Sequence, residues 1–360
     1  MPEYAWDVDS TTTVFRDGTV LAGRDLAPTP CSSLVLRDGR IDGIDVPAPA
    51  GAATVDASGL LLIPGFVDAH VHIGFADPAE VVRGGVTTVR DLGWPEDAIF
   101  PLSRRSRERG FDGPLILCTG PILTAPGGYP TRAAWAPAGT GAEIAAPKDA
   151  SEIVRRLSTE GAAAIKVALN PPVGPVFDAE TLTAIVGAAH GARLKVTGHV
   201  YGTGELRKAL ACGMDELAHM LMSEEELDDE TVAAMVAAGM TVVPTLSIRF
   251  GRDREIAIAN LARFRAAGGR VVYGTDLGNE GPVPGIDRTE VTAMGAAGFS
   301  ALEIVRTATV DAAAHLGLER KGAIDRGMDA DVVAVPADAL DDPALLSDVK
   351  MVWREGRRVA

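Results

Sequence analysis

Two histidines one residue apart, His70 and His72, close the apolar run Leu60-Leu61-Leu62-Ile63-Pro64-Gly65-Phe66-Val67-Asp68-Ala69. Residues i and i+2 of a strand face the same way, so the pair sets two imidazoles side by side at a strand end. Neutral imidazole is the commonest protein metal ligand, and two of them make half a metal site. The chain holds six histidines. His199 and His219 also fall at the ends of apolar segments, whereas His190 and His315 fall near the C-termini of helical patterns. There an imidazole can meet the last carbonyls of a helix, a structural role. Asp276 follows Val271-Val272-Tyr273-Gly274-Thr275 and reads either as a turn carboxylate or as a metal ligand and proton carrier. Lys166 lies inside the apolar segment 162–169. Desolvating an ammonium is costly, so a lysine there either pairs with a buried carboxylate or reacts with CO2 to become an anionic, metal-bridging carbamate.

These residues need a scaffold that gathers strand ends at one face. Strand signals at 60–69, 86–91, 114–119, 162–168, 194–199, 216–219, 240–246 and 270–275 alternate with helical patterns at 95–109, 149–160, 178–190, 203–212, 224–238, 251–267 and 287–297. Such alternation predicts an α/β fold, a distorted (β/α)8 barrel whose active site is built at the C-terminal ends of its strands. A helix over 300–316 opens on Ser300 and Glu303, a capping-box spacing. Residues 1–58 (with a strand from Thr11 to Leu21) and 319–360 instead read as short strands with Gly turns. We expect them to form one small β-sandwich beside a barrel over 59–318. The Pro-, Gly- and Ala-rich stretch 120–148 is the longest connection without a structural signal, and such loops are more often functional than idle.

Composition narrows the partners. The chain has 360 residues, 47% hydrophobic and 23% charged, enough to bury a large core. A net charge of −15 argues against nucleic acid or an anionic membrane surface as partner. Three distant cysteines imply no disulfide framework, and the first residues carry no basic region followed by an apolar run. The expectation is a soluble, cytoplasmic protein, open to homo-oligomerisation, that acts on a small molecule.

The motifs together resemble the amidohydrolase superfamily, in its imidazolonepropionase-like and prolidase-like branch. The resemblance is carried by 64–72 (PGFVDAHVH), 85–93 (GVTTVRDLG), Ile165-Lys166-Val167, His199 with Tyr201-Gly202, His219, Gly274-Thr275-Asp276, and the tail from Gly322 to Val333. It implies metal ligation by His70, His72, Lys166, His199, His219 and Asp276. One or two divalent ions would be held, zinc being the choice for so imidazole-rich a set, with a CO2-derived carbamate on Lys166. It further implies that Asp276 moves a proton between water and leaving nitrogen. Tyr201 would then be either a donor to the substrate carbonyl or an ordinary aromatic at the barrel mouth.

The chain departs from peptidase relatives at the substrate side. It has Gly127-Gly128-Tyr129 where they carry Gly-Gly-His, Asn170-Pro171-Pro172 where they often carry Ser-Gly-Gly, and Ala218 where Glu commonly precedes the histidine. Tyr129, Arg132 and Arg249 are therefore the candidate substrate contacts, the arginines suited to a carboxylate. The expected reaction is metal-dependent hydrolysis of an amide or other C–N bond in a small acid. The alternatives are ring closure or dehydration at the same centre, and a binding protein on an enzyme scaffold.

Overall fold

The computed structural model describes residues 12–221 and 226–360. Thr11 and residues 224–225 of the expected helix 224–238 lie outside them; the described helix begins at Asp229. In chain order, β1 (Thr12–Ala22), β2 (Ala27–Arg37), β3 (Arg40–Ile44), β4 (Ala53–Asp56) and β5 (Leu60–Pro64) come first. The strands β6 (Phe66–Val71), β7 (Val86–Asp91), β8 (Leu115–Cys118), β9 (Ile122–Thr124), β10 (Gly141–Glu143) and β11 (Ile165–Leu169) follow. After them come β12 (Val196–Val200), β13 (Glu216–Leu217), β14 (Thr241–Val242) and β15 (Arg270–Val271). The chain ends with β16 (Val332–Pro336), β17 (Met351–Arg354) and β18 (Arg357–Arg358).

Both chain ends build one eight-stranded sheet, with β5 between β16 and β1. Its apolar faces bury their own core around Trp353, Phe15, Leu34 and Ile41, with the Phe15 and Trp353 rings edge to face at 4.6 Å. The run 60–69, expected as one barrel strand, is therefore two elements. Leu60–Pro64 pairs antiparallel with β16, and Phe66–Val71 pairs parallel with β7. The break is chemical. Pro64 has no N–H to continue a ladder, and a Cβ on Gly65 would lie 2.2 Å from Thr87 Oγ1, so only glycine lets the two segments pass.

The parallel strands form two arcs, β6–β7–β8 and β9–β11–β12–β13–β14–β15 with β10 outside β9. Backbone bonds join the arcs: Ala163 N–H to Cys118 O (2.8 Å) at one seam, Ala69 N–H to Tyr273 O (3.0 Å) and Asp276 N–H to His70 O (2.7 Å) at the other. The result is an α/β barrel. Its last strands are shorter than expected, with pairing that continues irregularly through Val243 and Val272. The stretch 120–148 is not structureless; it supplies β9 and β10, which pair in parallel. A short helix, Pro78–Arg83, capped by Asp77, adds to the expected set. The helix expected over 300–316 opens on the capping box, but it breaks at Thr309 into Ala301–Ala308 and Val310–His315.

The short helix Val310–His315 closes the N-terminal end of the barrel. Ala312 packs against Val67, Ala69, Val243 and Val272. His315 Nε2 lies 2.5 Å from Glu216 Oε2, and Glu216 Oε1 receives Arg90 at 2.6 Å. His190 likewise pairs with Asp215 at 2.9 Å. Both histidines thus meet carboxylates rather than helix-end carbonyls; Lys195 takes the His315 carbonyl at 2.7 Å. Among the described residues no helix is long and apolar enough to cross a membrane.

Candidate metal centre

The first and eighth strands are stitched together by a buried carboxylate. Asp68 accepts His70 N–H (3.0 Å) and Thr275 N–H (3.1 Å) on one oxygen and the Thr275 hydroxyl (2.6 Å) on the other. Burial pushes its pKa up to about 7 despite those donors. Asp276 then adopts a left-handed backbone, φ 60°, rare for a residue with a side chain. Thr245, at the end of β14, does the same at φ 47°. Such strain persists where surrounding structure over-determines it, commonly at functional sites.

Each histidine is held by one nitrogen, which determines what the other offers. His70 Nδ1 lies 2.8 Å from Ala218 O, and His72 Nδ1 lies 3.1 Å from Gly93 O. A carbonyl accepts only from N–H, so in the neutral imidazoles both Nε2 atoms carry free lone pairs. His219 Nδ1 meets the Thr245 hydroxyl at 2.9 Å. His199 Nε2 lies 3.0 Å from the amide nitrogen of Asn170, while Asn170 Oδ1 has no partner. Turning that amide over would give Oδ1 an N–H from His199 and free Nδ1 as a ligand atom.

His70 Nε2 is 3.1 Å and His72 Nε2 3.3 Å from Asp276 Oδ1, and His219 Nδ1 is 3.8 Å from Asp276 Oδ2. His70, His72 and Asp276 offer ligand atoms all within 4.8 Å of one another. The His219 ring lies 4.7 Å from the His70 ring, tilted by 38°, and His199 stands 4.8 Å from His219. Close as they are, His70 Nε2 and Asp276 Oδ1 are off the hydrogen-bonding direction, and both are buried without a partner, as is Lys166 Nζ. Imidazoles and a carboxylate within 4.8 Å of one another, near a buried amine whose charge His70 feels, are a donor set that fits a divalent cation.

The electrostatics agree with that donor set at His70, His199 and His219; at His72 burial acts downward, but the Asp276 carboxylate outweighs it and raises the pKa. Burial, then the charge of Lys166, lowers His70 to about 4 and His199 to about 3, so both are neutral near pH 7. Burial also lowers His219. Burial would raise Asp276, yet the surrounding imidazoles hold it well below the usual carboxylate range. Burial lowers Lys166 to about 7, against the pull of Asp276 and Glu216. Among the described residues it has no paired carboxylate, so the ion-paired alternative does not describe it there.

The expected substrate residues divide. Tyr129 stacks on the His199 ring at 4.9 Å and 27°. Arg249 is half-buried, its Nε enclosed without a partner. Burial lowers its pKa, and Asp276, Asp253, Tyr129 and Tyr201 are the charges it feels. Tyr201 is 38% exposed at the mouth. Arg132 instead is exposed beside Gly127, without a hydrogen bond or ion pair among the described residues. Trp135, absent from the sequence-derived candidates, lies 5.4 Å from the His72 ring. It is one of only four tryptophans and sits in the long loop already suspected of function, which was the available signal. Asp91, at the end of β7, accepts Ile73 N–H (2.8 Å) and Gly93 N–H (3.0 Å) and so fixes the turns on either side of His72.

Comparison with known proteins gives the same picture at family level. The Amidohydrolase family matches residues 61–359. An uncharacterized protein of Mycobacterium tuberculosis is 29% identical over 93% of this chain and 94% of its own length. An imidazolonepropionase of Deinococcus deserti is 24% identical, covering 94% of each chain. The crystal structure of a prolidase complexed with N-methylphosphonate-L-proline superposes with a TM-score of 0.81 at 23% identity, over 97% of this chain and 99% of that one. With its strand-end histidines, aspartate and lysine set in an α/β barrel, this chain is a hydrolase that belongs to the amidohydrolase family.

Proposed function

We propose that this chain is a metal-dependent amidohydrolase that cleaves the amide or other C–N bond of a small, carboxylate-bearing molecule. The observation that carries the reading is the convergence of His70 Nε2 and Asp276 Oδ1, buried and partnerless, beside His72 and Lys166. His70, His72 and Asp276 would hold one divalent ion, His199 and His219 a second, and a carbamate on Lys166 would join them; zinc suits the imidazoles. An ion in this site supplies a Lewis acid and an activated water near neutral pH. The Lys166 amine, lowered to about 7, is partly unprotonated at neutral pH. Its lone pair can attack the carbon of CO2 while the N–H proton leaves to solvent. Asp276 takes the proton of the attacking water and delivers it to the leaving nitrogen, a transfer its two oxygens can make without moving the backbone. Tyr201 can donate to the carbonyl oxygen as negative charge develops there. Arg249, with an unpartnered Nε and within the field of Asp276 and Tyr129, is the group for the substrate carboxylate. The prolidase bound to a proline phosphonate is a relative whose ligand carries such a carboxylate. A cytoplasmic enzyme with its terminal sheet folded as a small sandwich completes the reading.

The test is chelation and restoration. Purified protein should contain divalent metal, lose activity on N-acyl amino acids when stripped, and recover it on reloading. Asp276→Asn should retain much of the metal and lose at least ~100-fold in kcat, the range of a general acid–base group. Full activity in metal-free protein would sink the mechanism.

A further inference from the structure

The large apolar side chains that stand exposed among the described residues are Phe75, Val173, Tyr201, Phe250 and Val283, between 38% and 56% accessible. All five lie in segments that follow barrel strands: β6, β11, β12, β14 and β15. Random surface exposure would scatter them over both ends of the barrel and the terminal sheet. A concentration of exposed apolar residues at one face marks a binding surface.

On the His72 side of the rim, Trp135 lies 5.4 Å from the His72 ring and 6.1 Å from Phe75, which packs edge to face on Trp94 at 4.7 Å and 84°. Tyr129, 6.0 Å from Trp135 and stacked on His199, carries this aromatic side toward Arg249, whose Nε is buried without a partner among the described residues. Glycines let the segments of this rim approach closely. A Cβ on Gly278 would lie 3.2 Å from Phe75 Cδ2 and 2.9 Å from His72 O, and one on Gly281 would lie 3.5 Å from Phe250 Cζ. Both have φ near +115° (+114° and +116°), where a side chain is strained. Aromatic rings thus line the His72 and His199 side, and the half-buried Arg249 cation feels Asp276 and Tyr129 from beyond them.

We infer that the substrate carries a flat apolar group, of aryl size, on the opposite side of the scissile C–N bond from its carboxylate, and that Trp135 and Phe75 form the subsite for it. This rests on the amidohydrolase reading above and deepens it. An aryl ring stacked there would remove water from the exposed faces of Trp135 and Phe75, and its carboxylate would reach Arg249 while the amide spans the histidines. Aromatic rings favour such stacked or edge-on neighbours over simple apolar contact.

The test uses uncleavable probes on metal-loaded protein. N-(2-naphthylsulfonyl)glycine and N-(methylsulfonyl)glycine share the carboxylate and differ in the apolar group. Calorimetry should show the naphthyl probe binding roughly 50-fold more tightly, as expected for ~100 Å2 of additional buried apolar surface. Trp135→Ala or Phe75→Ala should reduce that ratio to about fivefold or less, with Trp135→Phe retaining most of it. In turnover, N-(2-naphthoyl)glycine or N-(2-naphthyl)succinamic acid should exceed its acetyl or methyl analogue in kcat/KM, through KM. Equal dissociation constants for the two probes, or a naphthyl advantage untouched by both alanine variants, overturns the inference. Equal constants together with a dimer that Phe250→Ser dissociates would assign the rim to a second copy of the chain, and also overturns it. Selective probe binding without turnover of any amide would leave the subsite standing and sink the hydrolase reading alone.

Discussion

Replacing Arg90 with methionine probes the charge pair that underlies the metal site. Arg90 and Glu216 are 1% or less exposed. The guanidinium donates to Glu216 Oε1 at 2.6 Å and through Nε to the Ala69 carbonyl at 2.8 Å, one residue before His70. Burial alone would raise the Glu216 pKa, but Arg90 and His315 hold it below the ordinary carboxylate range. Removing Arg90 leaves a carboxylate at zero exposure with His315 as its remaining partner. Breaking a buried pair from one side costs about 3–5 kcal/mol, a large share of the ~5–15 kcal/mol that stabilises a folded chain. Urea denaturation of metal-loaded protein at pH 7.5 measures that loss. The double variant Arg90→Met/Glu216→Gln should recover at least half of it, because the buried charge has gone with its partner. The pH dependence has a definite sign. In the wild type, the depressed Glu216 pKa contributes stability above the unfolded value near 4.5, and that contribution is lost as pH falls. In the single variant burial acts unopposed by Arg90 and raises the same pKa, so the variant gains relative stability as pH falls. The gap should narrow between pH 7.5 and 5. A single-variant cost under ~1 kcal/mol, or a double variant no better than the single, would refute this account of the pair.

Two further outcomes follow from buried groups. Lys166→Ala should lower metal content measured by elemental analysis, with partial rescue by a short carboxylic acid that replaces the carbamate; unchanged metal content would remove the bridging role. Glu290 is fully buried, accepts Ser247 N–H at 2.7 Å and is raised to about 8 by burial, so it destabilises the fold progressively as pH rises from about 4.5 to 8. Glu290→Gln should match the wild type near pH 5 and gain on it by up to ~1.4 kcal/mol per pH unit above that; a urea midpoint difference constant with pH would contradict it.

How much of this was legible in the sequence depended on the range of the interaction. His70, His72, His199, His219 and Asp276 could be read because a strand's end is a local property: an apolar run stops, and a polar residue stands where it stops. Lys166 was legible for the same reason inverted, a charge inside an apolar run. The division of 60–69 left a local trace in Pro64-Gly65. Its cause is β16, some 270 residues on, and local pattern gives no view of that partner. The Arg90–Glu216 pair, 126 residues apart, left no trace at all, because an arginine inside a strand reads as a surface residue until its partner is known.

The same contrast separates the two halves of the site. The strand-end histidines and Asp276 are set by strand register, where a one-residue slip would turn every side chain to the other face, so the barrel holds them within narrow limits. The contacts proposed for substrate come from loops, where Trp135 and Phe75 meet across 60 residues of chain only because the barrel brings β6 and the long connection after β8 together. Loops tolerate replacement without cost to the barrel. Gly127-Gly128-Tyr129 and Asn170-Pro171-Pro172 differ from peptidase patterns while the strand-end ligands do not, and this is the expected direction of divergence. Tyr129 fills with an aromatic face the place beside His199, and Asn170 sets the nitrogen that His199 presents. Changes in the loops thus reach the strand-end residues through contact, and on the reading proposed above substrate choice and ligand geometry are coupled at His199.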